Sequence, residues 1–321
     1  MSRIPKRTVI LAKIETTSGT DAVPTGAANA LQVTDFSITP LDAKNVDMAL
    51  TLPYFGASPS LVGTASVKCS FSVYLAGSGT AATAPAWGQL LIACAMAETT
   101  GLLTPNRVEY LPQTDTLKTA TIYYYDDGVL HKLLGCFGNF KLSAKAGEAP
   151  KLTFDFVGLD GGVTAAANAT AVLTAWKTPV AIAKANVVDI TIGCTYAAGV
   201  LTGGTAYNSN GLTLDWGNKV DFVPMLTTEQ VVLSDRNVSG SIELDLTAAQ
   251  EVANMASVKA NTLSGMGFVI GTATGNKIML HMPNVQLINP KKVENTGMRL
   301  IGYDLRVLPN AGNDETRLIS L

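Results

Sequence analysis

Two stretches of this chain carry the same strand pattern, and that constrains the fold more than anything else in the sequence. Thr64-Ala-Ser-Val-Lys-Cys-Ser-Phe-Ser-Val-Tyr-Leu75 reads like Arg236-Asn-Val-Ser-Gly-Ser-Ile-Glu-Leu-Asp-Leu246. Phe71, Val73 and Leu75 meet Ile242, Leu244 and Leu246 at one offset (242 − 71 = 244 − 73 = 246 − 75 = 171). Further on, Gly138-Asn-Phe-Lys-Leu142 matches Pro283-Asn-Val-Gln-Leu287, and Leu152, Phe154 and Phe156 match Ile301, Tyr303 and Leu305. Any half-buried strand alternates with period two, so the weight rests on three segments in the same order. The expectation is one β unit duplicated and fused: residues 1–165, then 166–321, with the boundary in the small-residue run from Gly161 to Ala171. A fused pair of like domains lets a closed ring form from fewer chains.

Length and composition agree with such a plan. The 321 residues suit two ordinary domains, and 47% apolar residues supply material for a core in each half. Only 15% are charged, well under the usual quarter, which favours a subunit whose surface is covered in an assembly. Net charge is −2 with no Lys/Arg run, so no electrostatic grip on DNA is indicated. Cys69, Cys94, Cys136 and Cys194 form no CxxC pair and have no nearby His, which argues against zinc. Cys69 and Cys94 read as small buried hydrophobes. At the N-terminus, Lys13 and Glu15 cut the apolar run Val9–Ala12 too short for an export signal, and synthesis in the cytoplasm is expected.

Most of the remaining pattern is strand and turn. Thr8 to Ile14 is a strand or an extended arm, with Val9, Ile10 and Leu11 as its apolar residues. Thr119–Tyr125 and Val129–Leu134 flank an Asp126-Asp-Gly128 turn, and Asn139–Ala144 and Leu152–Val157 flank Ala146-Gly-Glu148, giving two hairpins. Trp87, Leu90, Leu91, Cys94 and Ala95 share a helical face after Pro85. The second-half helix is Thr247–Val258, with Thr247 and Gln250 placed for a capping box. The fold class is mostly β: two tandem β-sandwich or half-barrel domains, each with one short helix.

The segment from Asp42 to Val62 lacks a regular period and carries Val46, Met48, Leu50, Leu52, Tyr54 and Phe55. In water these would form an apolar patch that needs a partner. Its counterpart, Val220 to Leu233, offers Phe222, Met225, Leu226, Val231 and Val232. Both segments are expected to make inter-subunit or inter-ring contacts.

No constellation of catalytic groups is present. His131 and His281 have no acidic partner in motif position, and neither GxSxG nor HExxH occurs. Asp126 and Asp127 sit at a hairpin tip, where turn residues are expected. No enzyme activity, catalytic residue, metal or cofactor is expected.

Several phrases together resemble the tail tube (major tail) proteins of long-tailed bacteriophages. They are Val9-Ile-Leu-Ala-Lys-Ile-Glu-Thr-Thr-Ser-Gly-Thr-Asp-Ala-Val-Pro24, Pro53-Tyr-Phe-Gly-Ala-Ser-Pro59, the stretch from Leu75 to Leu91, Ile122 to His131 and Gly135 to Gly158. The resemblance covers roughly residues 7–160. It implies a structural subunit of the virion tail whose inner sheets join into a β-barrel. Rings would stack into a tube through which DNA leaves, beside tail-tip, tape-measure and terminator proteins. With the duplication, three chains would give a pseudo-sixfold ring. Lumen-facing positions are then expected to carry Asp, Glu, Ser, Thr and Gln rather than clusters of Lys and Arg. The alternatives are a tail-tip or connector protein, a secretion-system tube, or an adhesive, carbohydrate-binding β-sandwich.

Overall fold

The computed structural model describes residues 3–101 and 104–321. Strands make up 54% of the chain and helices 7%, as the turn-rich, alternating sequence implies. The first half holds β1 (Thr8–Ile14), α1 (Gly26–Asn29), β2 (Thr34–Asp47), β3 (Ser60–Tyr74), α2 (Gly88–Ile92), β4 (Met96–Thr99), β5 (Val108–Pro112), β6 (Ala120–Asp126), β7 (Val129–Lys145) and β8 (Lys151–Ala165). The second half begins with β9 (Val187–Ile192), β10 (Thr195–Ala197), β11 (Val200–Thr202), β12 (Thr205–Asp215), β13 (Asn218–Pro224) and β14 (Glu229–Arg236). It continues with β15 (Ser239–Asp245), α3 (Ala248–Lys259), β16 (Leu263–Ile270), β17 (Ile278–Asn295), β18 (Met298–Leu308) and β19 (Arg317–Ser320).

The predicted turns form for the expected reasons. Asp127 (φ 40°) and Gly128 (φ 99°) give the two left-handed residues that a tight β6–β7 hairpin requires. The helix after Pro85 is shorter than expected, because the chain turns into β4 at Met96. Trp87, Leu90, Leu91, Cys94 and Ala95 are nonetheless all buried. Thr247 and Gln250 form the reciprocal capping box of α3. Two segments differ from expectation. The segment 42–62, which lacks a regular period, is strand at both ends, the last part of β2 and the start of β3, and its counterpart 220–233 is the β13–β14 hairpin.

One row of strands organises the molecule: β2-β3-β8-β7, then β12-β15-β18-β17. Antiparallel ladders put Phe71 opposite Phe154 and Val73 opposite Leu152 in the first four strands. Ile242 stands opposite Tyr303 and Leu244 opposite Ile301 in the second four. Those are the residues matched in the sequence. The third match is displaced. Phe137 pairs with Val157 and Gln286 with Arg306, so up to Ile288 β7 and β17 correspond at an offset of 149 (286 − 137), and past the register shift between Ile288 and Lys291 at 150 (292 − 142), rather than at 145 (287 − 142). Before that shift the slip is four residues (149 − 145), an even number that keeps each side chain on its face, so alternation cannot detect it.

β7 and β17 each change partners along their length, within one 15-stranded sheet. The first part of β7 pairs with β6, itself paired with β1, while Lys141–Lys145 pairs with β12. The first part of β17 pairs with β16 and β19, and its later part with β18. Among the described residues the largest buried cluster is shared by the two halves, with a small separate cluster in each. One buried cluster runs from Ile10 through Phe71, Phe154, Trp216 and Ile242 to Leu318. The reason is the pairing itself: β7–β12 makes the inner faces continuous, and β19 pairs with β5 of the first half. Among the described residues the four cysteines are free and buried. Burial, then the Asp155 charge, pushes the Cys69 thiol up to about 12.

Candidate assembly surfaces

Three surfaces of the eight-stranded row stand out: an open face, two free edges and two hairpins. Alternation sets the open face, since Leu142, Phe154 and Leu214 point inward while their neighbours point out. Lys141 on β7 lies 3.8 Å from Asp155 on β8 and 3.4 Å from Asp215 on β12. Ser70 donates to Asp155 at 2.7 Å, and Asn139 donates to Asp215 at 2.7 Å. In the second half Lys291 lies 3.5 Å from Asp304. Asp155 and Asp304 stand at the same offset as Phe154 and Tyr303 (304 − 155 = 303 − 154 = 149), so each set of four strands carries this Lys–Asp pair. Lys68 and Lys151 are likewise near Asp42 and Asp35. The face is therefore mixed: Lys68, Lys141, Lys151 and Lys291 stand beside carboxylates, and Lys145 shares the outward side of β7 with Lys141.

The edges are the outer side of β2 and the distal part of β17. β2 pairs only with β3, and from Ile288 onward β17 pairs only with β18, among the described ladders. Such edges present unpaired N–H and C=O groups that can template another strand.

The hairpins carry the apolar residues that the sequence singled out. β2 and β3 stay paired from Asp42–Ser66 out to Asp47–Ser60, forming a shaft that ends in the tip 48–59. Val46, Leu50, Tyr54 and Phe55 are exposed, and Met48 and Leu52 are partly covered. In the other hairpin Met225 and Leu226 are exposed at the tip, Phe222 and Val232 are half-buried and Val231 is buried. Gly217, at φ 62°, makes the bend into this hairpin, and a Cβ there would lie 2.3 Å from the Asn237 carbonyl. The β13–β14 hairpin lies against β7 and β8.

The N-terminal segment is not a free arm. Val9, Ile10 and Leu11 lie in β1, paired with β6, and Ile10 and Leu11 are buried. The β6 ladder takes up the backbone groups on one side of β1, and on the other side the Ile10 carbonyl accepts from the Leu31 amide. The Lys–Asp pairs and the two edges escaped the sequence reading. Lys141 showed only as a polar residue at an outward strand position.

His131 and His281 lie on different strands, and no group of three or more His, Cys, Asp or Glu could hold a metal among the described residues. Among those residues no helix is long and apolar enough to cross a membrane. Comparison with curated proteins returns no match. A family model described as "Phage tail tube protein" matches residues 5–306, nearly the whole chain. The chain thus belongs to the phage tail tube protein family and is a structural component of the virion tail that self-assembles into a tube.

Proposed function

We propose that three copies of this chain close into a ring with pseudo-sixfold symmetry, and that such rings stack around a lumen through which viral DNA is delivered. The observation carrying this reading is the order β2-β3-β8-β7 followed by β12-β15-β18-β17. It is the order expected of a duplicated unit joined edge to edge. The internal joint, β7–β12, has the same two strand types as the free edges, β17 and β2. A head-to-tail contact between those edges repeats the joint and closes if the rotation allows. The shared core fixes the angle between the two units and so the curvature of the ring.

The joint also supplies a register. Lys141 opposes Asp215 and Leu142 opposes Leu214 within the chain. Through the ladder equivalents this becomes Lys291 opposite Thr39 and Lys292 opposite Ile38 of the next copy. Three chains of eight strands would close about 24, giving a backbone diameter of roughly 50 Å at a tilt near 40°. That leaves room for a duplex. The neutralised lysines of the open face suit a lumen that DNA crosses without being held. The tips at 48–59 and 225–228, none of whose residues is buried, would make contacts between subunits or rings, alongside the other tail proteins.

Electron microscopy of the concentrated purified protein tests the reading. Hollow filaments with threefold cross-sections are expected. A monodisperse monomer at all concentrations, or rings with six whole chains, would overturn it.

A further inference from the structure

The two hairpins occupy the same place in the two sets of four strands, yet only one of them has a seat. Cys69 on β3 and Gly240 on β15 are ladder equivalents, so Ile38 corresponds to Leu214 and the chain beyond Thr39 corresponds to that beyond Asp215. The β2–β3 shaft, paired from Asp42–Ser66 to Asp47–Ser60, is thus the counterpart of β13–β14. β13–β14 rests on β7 and β8, and Val231 is buried there. On the β2–β3 shaft Val46, Leu61 and Val62 are exposed. The equivalents of β7 and β8 are β17 and β18, where Gln286 is half-buried and Arg306 is exposed.

Beside the end of β18 lies a cleft of about 580 Å³. Leu117, Leu233, Val238, Leu308 and Pro309 line it, with Arg306 among its polar residues. Arg306 and Gln286 are the ladder equivalents of Val157 and Phe137, which lie on the two strands that support β13–β14. We infer that this end of β17–β18, with its cleft, is the seat for the β2–β3 shaft of a second copy of the chain, the same copy whose β2 edge meets β17. Val46, Leu61 and Val62 supply the apolar contact. This rests on the ring proposed above and assigns the shaft to the lateral joint, leaving only the tips for contacts between rings.

Photo-crosslinking tests it. With Leu61→benzoylphenylalanine, a change at an exposed position, irradiated tubes should give inter-chain crosslinks to residues 233–238 or 306–309. Tubes that crosslink elsewhere, or not at all, overturn the seat while leaving the ring intact. Leu308→Asp should raise the critical concentration for assembly about tenfold, the scale of one lost interface anchor, without altering the melting temperature of the free subunit. An unchanged critical concentration also overturns it. A wild-type chain that never assembles removes the ring reading itself, and the seat with it.

Discussion

Phe140 and Trp216 stack across the joint between the two sets of strands, with ring centroids 4.0 Å apart and planes 22° from parallel. Both rings are fully buried, and the Trp216 indole N–H donates to the Thr316 hydroxyl at 2.9 Å. The stack ties β7, the end of β12 and the C-terminal segment into one core. Trp216→Ala should cost about 3–5 kcal/mol, as loss of a large buried aromatic does, and Thr316→Val about 1 kcal/mol. Urea unfolding checks both. A Trp216→Ala midpoint close to wild type would mean that the joint contributes little to stability.

Glu15 is buried, no cation pairs with it among the described residues, and four donors hold it. The Thr119 and Thr121 hydroxyls donate at 2.6 and 2.7 Å, and the Gly19 and Gly135 amides at 2.7 and 2.8 Å. Glu15→Ala orphans all four, at about 1–3 kcal/mol per group that water cannot reach. The melting temperature should fall by several degrees more for Glu15→Ala than for Thr119→Val, which removes one donor.

Acid should weaken the fold in two stages. Burial, then the Arg317 charge, holds the His281 imidazole below its ordinary 6.5. Burial alone would raise the Glu109 carboxyl, but hydrogen bonds from Tyr196 and Arg107, with Arg317, outweigh it and hold the group below 4.5. In both cases the unfolded chain takes up a proton that the folded chain resists, so stability falls as pH falls. The loss should begin near pH 6.5 from His281 and steepen below pH 4.5 from Glu109. Denaturant midpoints across this range should show the lower stage flattened in Glu109→Gln.

Freeing the lysines of the open face should make the tube hold DNA. Asp155→Asn, Asp215→Asn and Asp304→Asn together remove the carboxylates beside Lys141 and Lys291. Fluorescence anisotropy with a short duplex should then show binding that wild-type tubes lack and that fades steeply with salt. Equal binding by the two tubes would place this face away from the lumen.

Removing the tip should separate folding from assembly. Residues 48–59 lie outside the β2–β3 ladder, and none of them is buried. Replacing them with Asn-Gly should leave the subunit's melting temperature within about 2 °C of wild type while long tubes fail to form. Normal tubes from this variant would reject the tip as a stacking contact.

The sequence alone determined what is local. Period-two alternation named the inward residues Phe71, Phe154, Ile242 and Tyr303; Asp127 and Gly128 marked a turn; Thr247 and Gln250 capped α3. The tertiary structure decided register and partnership. An even slip between strands leaves alternation unchanged, so the offset of 149 between β7 and β17 could be read only from the ladders. Likewise β5 meets β19, and Lys141 falls between Asp155 and Asp215, only once segments far apart in the chain pair. Side-chain pattern fixes which way a residue faces; long-range backbone pairing chooses its neighbour, and here that choice gave the two halves one core.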